Sequence, residues 1–231
     1  DGSPDIYLAV KEPDNYRNGH VTETLWSVWP TWESWNWSGW ENKTIEAEIY
    51  TKAPKVRLYL NDSLVAERNV SMASQYKAVI PLQYQPGTLK AVSLDADGNE
   101  VKESILRTSG MPAAIRLTPD RKQIHANGQD LAYVTLEVTD AKGNVVSDAD
   151  IQLTVSVYGK ASLLAAASAN LKDIEPKTSA NVTTYKGRAI IVVKSGMNAG
   201  KATIKASSAN QAISGTTAVS VMAQRWTIPQ K

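Results

Sequence analysis

Four tryptophans recur at every third residue, Trp26, Trp29, Trp32 and Trp35, and two more follow at Trp37 and Trp40. Six of the seven tryptophans of the chain therefore fall within fifteen residues, while phenylalanine is absent from all 231. Each indole buries a large apolar area and carries one N–H that needs an acceptor. A cluster of this kind does one of two things. It plugs a core or an interface, or it forms a platform on which a flat apolar ligand face, such as a sugar ring, can stack. Glu33 stands among the rings, where burial would raise its carboxyl pKa or where it would serve as an interface hydrogen-bond acceptor. The candidate residues for contact with a carbohydrate or a neighbouring domain are thus Trp29, Trp32, Glu33, Trp35 and Trp37.

The remaining chemistry-bearing residues give less. Cleaving a glycosidic bond takes two carboxylates held a set distance apart across a cleft. Asn99-Glu100 resembles part of such a site, but it directly follows a turn and reads as a solvated strand edge. His20 and His125 have no metal-ligand spacing. Asp95-x-Asp97-Gly98 looks like the start of a calcium loop without the later ligands, so a plain turn is expected. There is no Ser/His/Asp grouping, P-loop or dinucleotide fingerprint. No catalytic residue, metal or cofactor is assigned.

The elements that must position these residues read as strands and turns. Val56, Leu58 and Leu60 alternate with Lys55, Arg57 and Tyr59, and Val134, Leu136 and Val138 alternate with Tyr133, Thr135 and Glu137, the pattern of half-buried strands. Further strand-like runs are 6–10, 45–50, 76–82, 89–94, 101–106, 151–157, 189–194, 202–206 and 217–221. Asp95-Ala-Asp-Gly-Asn99, Asp140-Ala-Lys-Gly-Asn144 and Pro86-Gly87 supply the turns. Residues 161–170 carry helical propensity between glycine and serine flanks. Pro30 argues against a helix through the tryptophans. A strand would send alternate rings to opposite faces, whereas a polyproline-like stretch would align Trp26, Trp29, Trp32 and Trp35 in one row.

These signals predict an all-β protein of two consecutive immunoglobulin-like β-sandwich domains. Residues 1–23 read as a lead-in, 24–108 and 109–224 as the two sandwiches, and 225–231 as a tail. The boundary is placed at Thr108-Ser-Gly-Met-Pro112. Residues 171–184 read as a long polar connection.

Composition narrows the partners. Hydrophobic content of 42% and charged content of 21% suit a globular chain. The formal net charge is +2, with no basic run, so no nucleic-acid partner is expected. No apolar stretch approaches a membrane span, so no membrane partner is expected. Cysteine is absent, which excludes disulfides and thiol chemistry without fixing a compartment. The chain begins with Asp1 and is read as an excised piece of a longer protein.

Several segments, taken together, resemble the C-terminal part of bacterial glycoside hydrolase family 2 β-galactosidases. They are Leu8-Ala-Val-Lys-Glu-Pro13, Val28-Trp-Pro-Thr-Trp-Glu-Ser-Trp35, Lys55-Val-Arg-Leu-Tyr-Leu-Asn61 and Tyr84-Gln-Pro-Gly-Thr-Leu-Lys-Ala-Val92. They continue through Gly110-Met-Pro-Ala-Ala-Ile-Arg-Leu-Thr-Pro-Asp120, Asn127-Gly-Gln-Asp-Leu131 and Tyr185-Lys-Gly-Arg-Ala189. The sequence departs from the family where relatives tend to have a glycine-rich turn and this chain has Ala165-Ala-Ala-Ser-Ala-Asn170. The resemblance implies a parent whose (β/α)₈ barrel carries both catalytic glutamates, followed by β-sandwiches such as these. It implies that this chain inherits no catalytic role and that its partner is the barrel of the parent, with oligomer contacts as a further role. A periplasmic or secreted parent is implied in the same way. Carbohydrate binding by the tryptophans of residues 26–40 is the alternative.

Overall fold

A computed structural model describes residues 5–16, 19, 30–210 and 212–223. Its fully described elements are strands and a 3₁₀ turn at Met72–Ser74, and the chain divides into two units, Asp1–Thr108 and Ser109–Lys231.

The first unit has two antiparallel sheets. One is built from β1 (Ile6–Lys11), β2 (Thr31–Trp32), β3 (Thr44–Thr51) and β6 (Lys77–Gln83), in the order β2-β1-β3-β6. The other is built from β4 (Lys55–Leu60), β5 (Ser63–Asn69), β7 (Thr88–Leu94) and β8 (Glu100–Arg107), in the order β5-β4-β7-β8. Period-2 alternation decides which side chains enter the core. Leu8, Val10, Ile45, Ala47, Ile49 and Ile80 from one sheet meet Val56, Leu58, Leu89 and Ala91 from the other in a single apolar cluster.

The segment expected to be a lead-in is an inner strand. Residues Ile6 to Lys11 pair antiparallel with Thr51 to Glu46, and Val10 and Lys11 also pair with Trp32 and Thr31. Leu8, Ala9 and Val10 are all buried, so the first sandwich begins at the first described strand.

Turn chemistry ties together strands of the β5-β4-β7-β8 sheet. Asn61 and Asp62 both take positive φ, as a two-residue hairpin loop between β4 and β5 requires. The Asn61 side chain accepts from Thr88 N at 2.8 Å and donates to Pro86 O at 3.1 Å. Gly87 has φ +137°, and a Cβ there would lie 1.9 Å from Asn61 Oδ1, so this position takes glycine on both counts.

The second unit also packs two sheets around one cluster. The strands are β9 (Ala114–Pro119), β10 (Gln123–His125), β11 (Leu131–Thr139), β12 (Gln152–Gly159), β13 (Ala161–Ala167), β14 (Asn181–Thr183), β15 (Arg188–Ser195), β16 (Gly200–Ser207) and β17 (Ser214–Met222). Their orders are β13-β15-β11-β9 and β10-β17-β16-β12-β14. The chain changes sheet after Pro119: β9 runs antiparallel to β11, while β10 runs parallel to β17. Val134, Leu136, Ile191 and Val193 face Leu153, Val155, Ile204 and Val219 in the shared core.

Residues 161–170, read as having helical propensity, instead supply strand β13. Its partner β15 offers a ladder from Ser195 to Ile190, and tertiary pairing overrides the helix propensity of the alanines. The register shifts between Leu163 and Ala165, so the strand carries a bulge at Leu164. Of the polar connection 171–184, residues Asn181–Thr183 form the short edge strand β14.

The two Asp-Ala-x-Gly-Asn turns share one geometry. Asp95 Oδ1 accepts from Asp97 N and Asn99 N, and Oδ2 accepts from Asn99 Nδ2. Asp140 repeats this with Lys142 N, Asn144 N and Asn144 Nδ2, and adds Gly110 N at 2.9 Å. Burial would push the Asp140 carboxyl up, but these N–H donors outweigh it and hold the group at about 2.

Candidate functional site: the tryptophan segment

Trp26 and Trp29 lie outside the described residues, as does His20. The four remaining rings of the cluster separate into two kinds. Trp35 and Trp37 are each 1% exposed, within the core of the first unit. Trp32 and Trp40 are half-buried at its margin.

Trp35 and Trp37 are fixed by a dense set of contacts. Trp35 Nε1 donates to Gln85 O at 3.0 Å, and Trp37 Nε1 donates to Ser34 O at 3.2 Å. The Tyr84 hydroxyl donates to Trp35 O and accepts from Trp37 N, both at 3.2 Å. Thr108 Oγ1 donates to the same Trp35 carbonyl at 2.8 Å, using its second lone pair. Tyr84 meets the Trp35 ring edge-on, and Tyr16 does the same to Trp37. A ring so enclosed offers no face to a sugar or a neighbouring body. Trp35 and Trp37 are core residues, which corrects their reading as contact residues.

The three-residue spacing does not set the outcome. Residues 35 and 37 are two apart, on a segment outside the strands, and both rings turn inward. Glu33, read as a buried carboxyl or an interface hydrogen-bond acceptor, is exposed in the first unit.

Trp40 borders a cleft, and Trp32 holds one of its lining residues. Trp32 sits in β2 and donates Nε1 to Glu12 Oε2 at 2.7 Å, while Glu12 N donates to Pro30 O. These two bonds fix Glu12 just beyond the end of β1. Trp40 donates Nε1 to Thr44 O at 2.9 Å, and Lys43 Nζ stands 4.6 Å from its ring centroid. The cleft holds about 250 Å³ and is lined by Lys11, Glu12, Pro13, Asp14, Trp40 and the start of β3 at Thr44, Ile45 and Glu46. Sequence reasoning singled out neither Glu12 nor Glu46. The available signal was the pair of charged residues that closes β1 just before Pro13.

A second charged feature lies on the outer face of the β1/β3/β6 sheet. Glu48 is 1% exposed; Tyr50 donates its hydroxyl to it, and Lys77 Nζ lies 3.1 Å away. Burial first, and then the hydrogen bond and charge of Glu48, push the Tyr50 hydroxyl above its ordinary value.

The other candidates are ordinary structural residues. Glu100 is exposed at the start of β8, while Asn99 is engaged by Asp95. His125 is exposed and donates its backbone N–H to Asp130. Among the described residues, no three His, Cys, Asp or Glu side chains gather as a metal site, and no helix is long and apolar enough to cross a membrane.

With this geometry in place, known proteins give a consistent picture. Residues 115–217 match glycoside hydrolase family 2 C-terminal domain 5, and residues 42–102 match a domain of unknown function, DUF4982. The chain is 31% identical over 159 residues to β-galactosidase BoGH2A of Bacteroides ovatus, covering 69% of this chain and 18% of that protein. It is 25% identical over 175 residues to a β-galactosidase of Thermoanaerobacter pseudethanolicus, covering 22% of it. The crystal structure of a glycosyl hydrolase family 2 member from Bacteroides cellulosilyticus superposes with a TM-score of 0.80 at 28% identity. That superposition covers 94% of this chain and 28% of the other. The chain thus spans about a quarter or less of the curated relatives it matches.

Proposed function

Since the chain belongs to the C-terminal region of glycoside hydrolase family 2, we propose that it is a non-catalytic accessory region of a β-galactosidase. It packs against the catalytic barrel of the parent and shapes the rim of the substrate site. The parent hydrolyses a terminal β-galactoside with retention, in the periplasm or outside the cell. Both catalytic carboxylates belong to the barrel.

The observation that carries this reading is the match of residues 115–217 to glycoside hydrolase family 2 C-terminal domain 5, together with the superposition of 94% of the chain on a family 2 structure. Burial of Trp35 and Trp37 supports it, because the most enclosed part of the tryptophan run is committed to holding the first sandwich together. Oligomer contacts are a further role of the same surfaces.

Two measurements test it. The purified chain should not hydrolyse a chromogenic β-galactoside, and hydrolysis would overturn the non-catalytic reading. Mixed with the separately expressed upstream portion of the parent, the chain should form a complex and raise the melting temperature of that portion. Two partners that neither associate nor stabilise each other would overturn the packing role.

A further inference from the structure

The cleft between the end of β1 and Trp40 has the makings of a ligand site. Its aromatic wall is Trp40, whose Lys43 neighbour is not part of the cleft lining. Around it stand Glu12, Asp14 and Glu46, with Lys11 as the cation of the lining. A volume of about 250 Å³ suits one sugar ring rather than a chain of them.

We infer that this cleft binds a single neutral pyranose unit of a saccharide, with the sugar against Trp40 and its hydroxyls donating to the carboxylates of Glu12, Asp14 and Glu46. Indole presents an apolar π face to the C–H side of a pyranose. Carboxylates are acceptor-only groups with about four lone-pair sites each, so they take hydroxyl donors even when one site is already in use. Glu12 illustrates this: Trp32 Nε1 occupies Oε2 and orients the group.

Charge sets the selectivity. Among the described residues, the three carboxylates outnumber Lys11 in the lining and Lys43 beside Trp40, which leaves the surroundings net negative. A sugar acid placed here would bring a further carboxylate among like charges, which is unfavourable at short range. The site therefore accepts a galactoside and rejects the corresponding galacturonide. The inference goes beyond the accessory role and does not depend on it: hydrolysis and barrel docking test that role, whereas this one is read by binding to the isolated chain.

The probes are methyl β-galactopyranoside and methyl β-galactopyranosiduronate, which differ only at C6. They are titrated into the ¹⁵N-labelled chain while the indole N–H signal of Trp40 is followed. The expected result is a saturable shift of that signal with the galactoside, in the weak range of a one-ring site, and binding of the galacturonide weaker by about tenfold or more. Trp40→Ala should abolish galactoside binding, whereas Trp40→Tyr should retain it. Because Trp40 also packs against the core, the exposed pair Asp14→Asn with Glu46→Gln gives an independent reading: galactoside binding falls and the preference over galacturonide disappears. The inference is overturned if no saturable shift occurs with the galactoside, if saturation survives Trp40→Ala, or if both sugars bind the wild-type chain equally.

Discussion

Tyr84 holds Trp35 in two ways: its ring meets the indole at 4.8 Å between centroids, tilted by 70°, and its hydroxyl donates to the Trp35 carbonyl at 3.2 Å. The same hydroxyl accepts from Trp37 N, so one phenol oxygen secures the backbone on both sides of Asn36. Buried polar groups on an irregular segment must find partners outside a ladder, and Tyr84 supplies them from the end of β6.

Removing that oxygen should be costly. Tyr84→Phe keeps the ring but leaves Trp37 N without this acceptor in a buried setting. A loss of about 1–3 kcal/mol is expected, read from urea unfolding of the chain. Trp35→Ala or Trp37→Ala should cost more, about 3–5 kcal/mol, through the cavity each leaves.

Indole hydrogen exchange should separate the two kinds of tryptophan. The Nε1 hydrogens of Trp35 and Trp37 are bonded inside the core and should exchange slowly with deuterated solvent. That of Trp40 is bonded to Thr44 O in an exposed setting and should exchange far faster. Equal rates measured by NMR would contradict the burial assigned to Trp35 and Trp37.

The Asp140 turn predicts an acid-sensitive second unit. Its carboxyl is held at about 2 in the folded chain, against an ordinary value of 3.8. The folded state therefore binds this proton less readily than the unfolded one. The stabilisation is fully present above about pH 4 and is lost as pH falls through about 2. Melting curves of wild type and Asp140→Ala should differ at neutral pH by about 1–3 kcal/mol and converge at the acid end. Asp95→Ala in the sister turn should have a smaller effect, because Asp95 is only half-buried and lacks the fourth donor that Gly110 gives Asp140.

Gly187 provides a backbone test. It has φ +73°, and a Cβ there would lie 2.3 Å from Val146 O. Gly187→Ala must both strain the left-handed conformation and push against main chain. A loss of more than about 1 kcal/mol is expected in thermal or urea unfolding.

The strands were the most legible part of the chain, because alternation fixes which face is buried. Val56 and Leu58 in β4 and Val134, Leu136 and Val138 in β11 are buried as the pattern requires. Residues 161–167 were not legible as strand, since their alanines favour helix and the partner strand that overrides them, β15, is distant in sequence. The first strand looked peripheral because its neighbours, β2 and β3, come later in the chain than the turn signals that framed it. In the tryptophan run, composition announced an unusual apolar demand but not its geometry. Trp35 and Trp37 turn inward because Tyr84, Gln85 and Thr108, distant in sequence, provide their partners. The Glu12–Trp32 bond likewise joins residues twenty apart, with no local signature.

The bulge at Leu164 also bears on solubility. Strand β13 closes one edge of its sheet and reads Ala-Ser-Leu-Leu-Ala-Ala-Ala, a low-charge apolar run whose outer main chain is covered at Ala166, where N donates to Lys177 O. Such an edge templates pairing with another chain when it is flat and regular. The register shift between Leu163 and Ala165 breaks that regularity midway along the strand, so a second copy would find no continuous row to match. One extra residue in the ladder thus guards the chain against self-association into extended sheets.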